Sequence, residues 1–153
     1  MIAPDSPELV GKHLIFVDGV CVLCHGFVRF VFKHDKQKYF FVGSLQQDSS
    51  RLYLKDYIHD LDSNVLGTVR VLSHYRTSKE TFLVKSNAVL FVLCHLSRGF
   101  SWVVLFYVFP RWCRDAVYDL VAAWRYRVFG MYDRCGLPEG NVRGRLLDLW
   151  FSS

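Results

Sequence analysis

His13-Leu14-Ile15-Phe16-Val17-Asp18-Gly19-Val20-Cys21-Val22-Leu23-Cys24-His25 is the stretch on which the fold turns. Leu14 to Val17 is a short apolar run that ends at the turn formers Asp18 and Gly19, the pattern of a strand covered on both faces. From Cys21 the period changes. Leu23, Phe27, Phe30, Val31 and His34 recur at three- and four-residue steps, with Arg29 and Lys33 off that stripe, which predicts a helix. Val22, Val28 and Phe32 widen its apolar surface, so the helix is expected to be well buried. Asp35 to Lys38 is a polar connector, and Tyr39-Phe40-Phe41-Val42 is a second buried strand. Strand, helix, strand at this spacing is the βαβ unit.

Beyond this unit, Arg51 to Ile58 suits a short helix, and Asp60, Asp62, Ser63 and Asn64 a polar loop. Val65 to Leu72 and Thr81 to Lys85 are strand-like, joined as an antiparallel hairpin across residues 74–79. Ser86 and Asn87 are N-cap types ahead of a helix from Ala88 to Leu96 that closes near Gly99. The order βαβ, helix, ββα predicts an α/β thioredoxin-like domain: a mixed sheet with flanking helices. A C-terminal helical extension follows. Phe100 to Phe109 is apolar except at Ser101, Pro110 stops it, and Asp115 opens a helix through Val117, Leu120, Val121, Trp124 and Val128 to Gly130. Residues 13–148 are therefore taken as one domain, with a core over 13–99 and the extension over 100–148. Ala88 to Phe109 has the length of a bilayer span, but His95, Arg98 and Gly99 interrupt it, and a central charge costs about 2.5–3.5 kcal/mol on insertion scales. A buried helix, a turn and a second apolar helix fit better. Exposure of residues 100–109 would instead mark a partner-docking or peripheral membrane surface.

The chain has 153 residues, of which 52% are apolar and 16% aromatic, a composition that excludes a disordered protein. Five cysteines are an odd number for a secreted disulfide scaffold. No signal-peptide pattern opens the sequence, so a reducing, cytoplasmic compartment is expected. The net charge of +5 is spread without basic runs, and nucleic-acid binding is not suggested.

Cys21 and Cys24 carry the candidate chemistry. Cysteines three apart at a helix start share a face and can bond. Cys21 would sit at the helix N-terminus, where unpaired backbone N–H groups and the macrodipole favour a thiolate. It would be the exposed nucleophile, with Cys24 resolving the mixed disulfide. A helix terminus is worth about 0.3–1 kcal/mol, up to about 2 when buried, which moves a thiol pKa from about 8.5 to roughly 7–8. A deeper shift needs a cation, for which His25 and Arg29 are the candidates. Asp18 opposes the thiolate. Its expected task is to bond the turn's backbone N–H groups, with proton transfer from Cys24 as the other option.

The motif has other possible uses. Zinc needs four ligands, yet Cys94, Cys113 and Cys135 are scattered, with no second Cys-x-x-Cys. Cys21-Val22-Leu23-Cys24-His25 also fits c-type haem attachment, which normally needs export, and Met131 is the one non-initiator methionine available as an axial ligand. Two free cysteines can also simply pack in a core. Trp124-Arg125-Tyr126-Arg127 interleaves aromatics and arginines as RNA-stacking surfaces do, but on a helix aromatic core with solvated Arg is the expected state.

Asp18, Cys21 and Cys24 match the Asp-x-x-Cys-x-x-Cys signature of the DCC family of thiol-disulfide oxidoreductases, which the chain resembles. Gly43-Ser44-Leu45-Gln46, Lys85-Ser86-Asn87-Ala88, and the block from Tyr118 through Arg125 to Gly130, Cys135 to Pro138 and Arg145 are similar to further family motifs. The resemblance implies a thioredoxin-like fold and dithiol–disulfide exchange with a disulfide-containing protein or a low-molecular-weight thiol. No metal or organic cofactor is implied. Thioredoxin-like enzymes usually place a cis-proline at the strand facing the dithiol. None of Pro4, Pro7, Pro110 and Pro138 lies in a predicted strand, and Lys85-Ser86-Asn87, with the Ser86 hydroxyl, is the nearest substitute. Cys135 is either a third redox partner or a packing residue of the C-terminal loop. The rival to catalysis is an interaction module that docks through residues 100–109 and the Arg-rich final helix.

Overall fold

The structure is a computed structural model that describes residues 2–60, 68–96, 98–133 and 143–147. Four strands form one mixed sheet in the order β2-β1-β3-β4. β1 (His13–Val17) pairs parallel with β2 (Phe40–Ser44) and antiparallel with β3 (Arg70–Ser73), and β3 pairs antiparallel with β4 (Thr81–Val84). The two central strands, and β2 with them, are buried at every residue, the consequence of their uninterrupted apolar runs and of cover on both faces.

α1 (Val22–His34) crosses from β1 to β2 and turns Cys24, His25, Val28 and Val31 inward, while Leu23, Phe27, Phe30 and Phe32 pack partly buried around them. On this side Ile15, Val17, Val42 and Val71 meet α1 and α3 (Lys85–Leu96). On the other, Leu14, Phe16, Phe41 and Leu72 pack on α2 (Asp48–Leu54) and the N-terminal segment through Leu9, Tyr53 and Leu54. Cover on both faces makes the thioredoxin-like arrangement that the element order predicts. Leu147 is wholly buried in this second cluster, and its N–H donates to Val42 at 2.8 Å. Asp35 accepts the N–H groups of Tyr39 (3.2 Å) and Phe40 (2.9 Å) and pairs with Arg145, which clamps the C-terminal segment to the start of β2.

Several boundaries differ from the sequence expectation. α3 begins at Lys85, so Ser86 and Asn87 lie inside its first turn rather than capping it. Lys85 takes φ 53° and its N–H bonds Val69 at 3.2 Å, which closes β4 directly into the helix. α4 (Arg111–Phe129) opens right after Pro110, four residues before Asp115, because proline's fixed φ is already suited to a helix start. It ends at Gly130, whose φ of 80° only glycine adopts freely. Residues 65–67 of the first predicted hairpin strand lie outside the described residues.

The largest departure concerns residues 100–109. They are not a buried helix. Arg98–Val108 is a 3-10 segment on which Trp102, Leu105 and Val108 are exposed and Val103 alone is buried. The stripe Val117, Leu120, Val121, Trp124 and Val128 of α4 likewise faces outward. No helix among the described residues is long and apolar enough to cross a membrane.

Candidate dithiol site

Asp18 and Gly19 end β1, and Cys21 is the N-cap residue of α1 in extended conformation. Its Sγ accepts the N–H of Cys24 at 3.4 Å, the bond a serine or aspartate oxygen makes at this position. The two cysteines approach to 3.3 Å, against about 2.05 Å for a disulfide, so the pair is described as a dithiol. The thiol of Cys24 also donates to Cys21, and this bond is the main cause that holds the Cys21 thiol well below its ordinary pKa. The backbone N–H of Cys24 and the charge of Arg125 add to the effect, while burial and Asp18 oppose it. Cys24 is pushed far up by the same bond, by burial and by the Cys21 charge. The two thiols are thus pushed in opposite directions, Cys21 down and Cys24 up.

The cation is neither of those expected. His25 is buried and its Nε2–H donates to the Gly19 carbonyl at 2.7 Å, with its ring 4.8 Å from Tyr132. Arg29 is exposed on the outer side of α1. Arg125 takes the role from α4, and it is buried rather than solvated. A lone sequence gives no means of pairing an arginine in the last helix with an aspartate after the first strand, although both lie in motifs that resemble the DCC family.

Asp18 is only 2% exposed and saturated with donors. Oδ1 accepts the Val20 N–H (3.1 Å) and Gln46 Nε2 (2.7 Å). Oδ2 accepts Arg125 Nη2 at 3.1 Å and the Tyr126 hydroxyl. Gln46 Oε1 in turn accepts the Gly19 N–H at 2.8 Å and the Ser44 hydroxyl at 2.7 Å. The motif loop is therefore bolted to the ends of β1 and β2 and to α4. Gln46 and Tyr126 carry no role in the sequence expectation, although both lie in stretches that resemble family motifs.

Cys21 is not exposed. It is wholly buried, and Met131 pairs antiparallel with it as an isolated bridge, fixed by the Tyr132 N–H on the Val20 carbonyl at 2.9 Å. The chain leaving Gly130 runs as a strap beside the nucleophile. Cys24 borders a cavity of about 250 Å³ between α1, α4 and the start of β3, walled by Phe27, Val69, Val89, Tyr118 and Val121. Val69, at the entry to β3, lines this cavity beside Cys24. Its N–H bonds the Tyr118 hydroxyl at 2.9 Å. Ser86 is committed elsewhere, donating to Asp115 of α4. Cys94 and Cys113 are half-buried on helices, and burial raises the Cys94 thiol. Cys135 lies outside the described residues. Among those residues no group of three or more His, Cys, Asp or Glu side chains gathers as a metal site.

A family model described as DCC1-like thiol-disulfide oxidoreductase matches residues 15–131. The chain is 32% identical over 142 residues to "Uncharacterized protein YuxK" of Bacillus subtilis (strain 168), covering 93% of this chain and 98% of that protein. It is 31% identical over 127 residues to "DCC family protein At1g52590, chloroplastic" of Arabidopsis thaliana, covering 82% of this chain and 70% of that protein. No solved structure matches.

Proposed function

This chain belongs to the DCC1-like thiol-disulfide oxidoreductase family, and from that premise we propose that Cys21 and Cys24 exchange two electrons with a disulfide-containing protein or a low-molecular-weight thiol. The observation that supports it most is the placement of Cys21 at the start of α1, its Sγ accepting the Cys24 N–H and Cys24 3.3 Å away, which favours the thiolate at Cys21 over Cys24.

The Cys21 thiolate attacks one sulfur of the partner disulfide. A Cys21–partner bond forms as the partner's S–S bond breaks, and the departing thiolate takes the proton that Cys24 releases. Cys24 then attacks Cys21 Sγ, closing the intramolecular disulfide and releasing the second partner thiolate. The protein dithiol is oxidised and the partner disulfide reduced, and the reverse order runs with a dithiol partner. Asp18, already holding four donors, fixes the loop rather than taking the Cys24 proton. Since Cys21 is wholly buried, the 130–132 strap has to step aside for a partner sulfur to reach it.

Incubation with a glutathione disulfide/glutathione series, quenched by alkylation and read by mass, tests this. Reversible loss of two alkylatable thiols, abolished in Cys21→Ser and replaced by a glutathione adduct on Cys21 in Cys24→Ser, is expected. Absence of any adduct on Cys24→Ser, with no disulfide formed in the unsubstituted protein, sinks the proposal.

A further inference from the structure

α4 is amphipathic the wrong way round for a helix that ends at the protein surface. Four of its polar side chains reach into the body: Arg125 to Asp18, Tyr118 to the Val69 N–H, Asp115 to Ser86 and Arg114 to Asn87 at 3.0 Å. Its apolar side chains point out, Trp112 being 75% and Leu120 61% exposed. Of nineteen exposed large hydrophobic side chains among the described residues, sixteen lie between Trp102 and Tyr132, so the exposed apolar surface belongs to one stretch of chain. Eight of the sixteen are aromatic and about half exposed. At ~150–250 Å² each they together present on the order of 800 Å² of aromatic surface.

We propose that the outward face of α4 and the adjoining 3-10 segment seat this protein on the surface of an anionic lipid bilayer. Three features select a bilayer. First, the apolar arc of α4 reaches about halfway round the helix, from Trp112 through Leu120 and Trp124 to Val121. Residues 104–109 are exposed one after another, with no alternation of ridge and groove. Fluid acyl chains accept such a surface without shape complementarity. Second, Trp102, Trp112, Trp124, Tyr107 and Tyr132 are partly exposed rings with polar tips, the side chains favoured at the headgroup boundary.

Third, the charge on this face suits phosphate headgroups. Arg127 lies with its guanidinium 5.7 Å from the Trp124 ring and has no carboxylate partner among the described residues. The nearby acids are already taken, Asp119 by Lys85 and Asp115 by Arg111 and Ser86. Anionic headgroups would neutralise Arg127 at this face. The helix, about 28 Å long at 1.5 Å per residue, lies in the boundary plane rather than crossing it. Val121 belongs both to this face and to the wall of the Cys24 cavity, which brings the dithiol side of the molecule close to the membrane surface.

The test is flotation of the full chain with vesicles of phosphatidylcholine mixed with phosphatidylglycerol, and with phosphatidylcholine alone, together with tryptophan emission. The chain is expected to float with the mixed vesicles and severalfold less with the neutral ones. Its emission should shift to shorter wavelength and be quenched by brominated acyl chains, a readout that needs no variant. Leu120→Glu/Trp124→Glu should lower the bound fraction roughly tenfold or more while the Cys21 alkylation rate is kept. Absence of flotation with both vesicles, or a stable dimer in sedimentation equilibrium that the same substitutions dissociate, overturns the proposal.

Discussion

Arg125 Nη2 lies 3.1 Å from Asp18 Oδ2, the two residues standing 107 positions apart in the chain and both side chains almost wholly buried. One contact ties the last long helix to the loop that carries the dithiol. The guanidinium favours the Cys21 thiolate and the carboxylate opposes it, so each partner tempers what the other does to the sulfur.

Arg125→Gln is expected to raise the pH midpoint of Cys21 alkylation, because the main cation near the sulfur is gone. It should also destabilise the fold by about 3–5 kcal/mol, since Asp18 is left buried without its charge partner. Asp18→Asn should move the midpoint the other way. Iodoacetamide rates against pH, with urea unfolding at neutral pH, separate the two effects. Lost stability with an unmoved midpoint would reduce Arg125 to a structural clamp.

The hydrogen bond from the Cys24 side chain leads the causes that hold the Cys21 thiol low. Cys24→Ser keeps a donor and should keep most of that depression. Cys24→Ala removes it and should carry the midpoint of Cys21 alkylation upward toward the free-thiol value of about 8.5. Equal midpoints in the two variants would show that the helix terminus and Arg125 act alone.

The Tyr132 N–H bonds the strap to the Val20 carbonyl. Tyr132→Pro deletes that donor without touching the cysteines. Losing a bond worth about 1 kcal/mol should raise the open population, and with it the Cys21 alkylation rate at fixed pH, by roughly fivefold. An unchanged rate would mean that the sulfur is reached by another route.

Burial, then the neighbouring His74, His95 and Lys12, lowers the His13 pKa from 6.5 to about 4. Its Nδ1 accepts the His74 N–H at 3.1 Å, which also favours the neutral ring. The unfolded chain binds a proton at His13 as pH drops through about 6.5, while the folded chain does so only near 4. Stability from the neutral ring is therefore complete above about 6.5 and is lost as pH falls toward 4. At 1.36 kcal/mol per unit the loss is on the order of 3 kcal/mol. Urea midpoints across this interval should fall with acid, and His13→Gln should flatten the slope. An equal slope in the variant would assign the acid loss to other groups.

Much of the fold was legible because it is written in local periods. Buried strands appear as uninterrupted apolar runs, and α1 as three- and four-residue steps behind Asp18-Gly19. The position of Cys21 at a helix start follows from that change of period alone. Helix starts at Lys85 and Arg111 were missed because backbone geometry at a left-handed lysine and at Pro110, not side-chain capping, opens them.

What the sequence by itself determined, then, is the strand–helix–strand unit, the mixed sheet with its flanking helices, and a pair of cysteines spaced to bond. Only the tertiary structure decided the state of that pair: which arginine stands beside it, which carboxylate opposes, and which stretch of backbone lies along it. It also decided which face of α4 is inside. A helical period marks an apolar stripe but not its direction, and here buried partners for Arg125, Tyr118 and Asp115 turn the polar side inward. Turned outward, that side would leave Asp18 without its charge partner and the Val69 N–H without its acceptor, so the polar side stays in and the tryptophans face out.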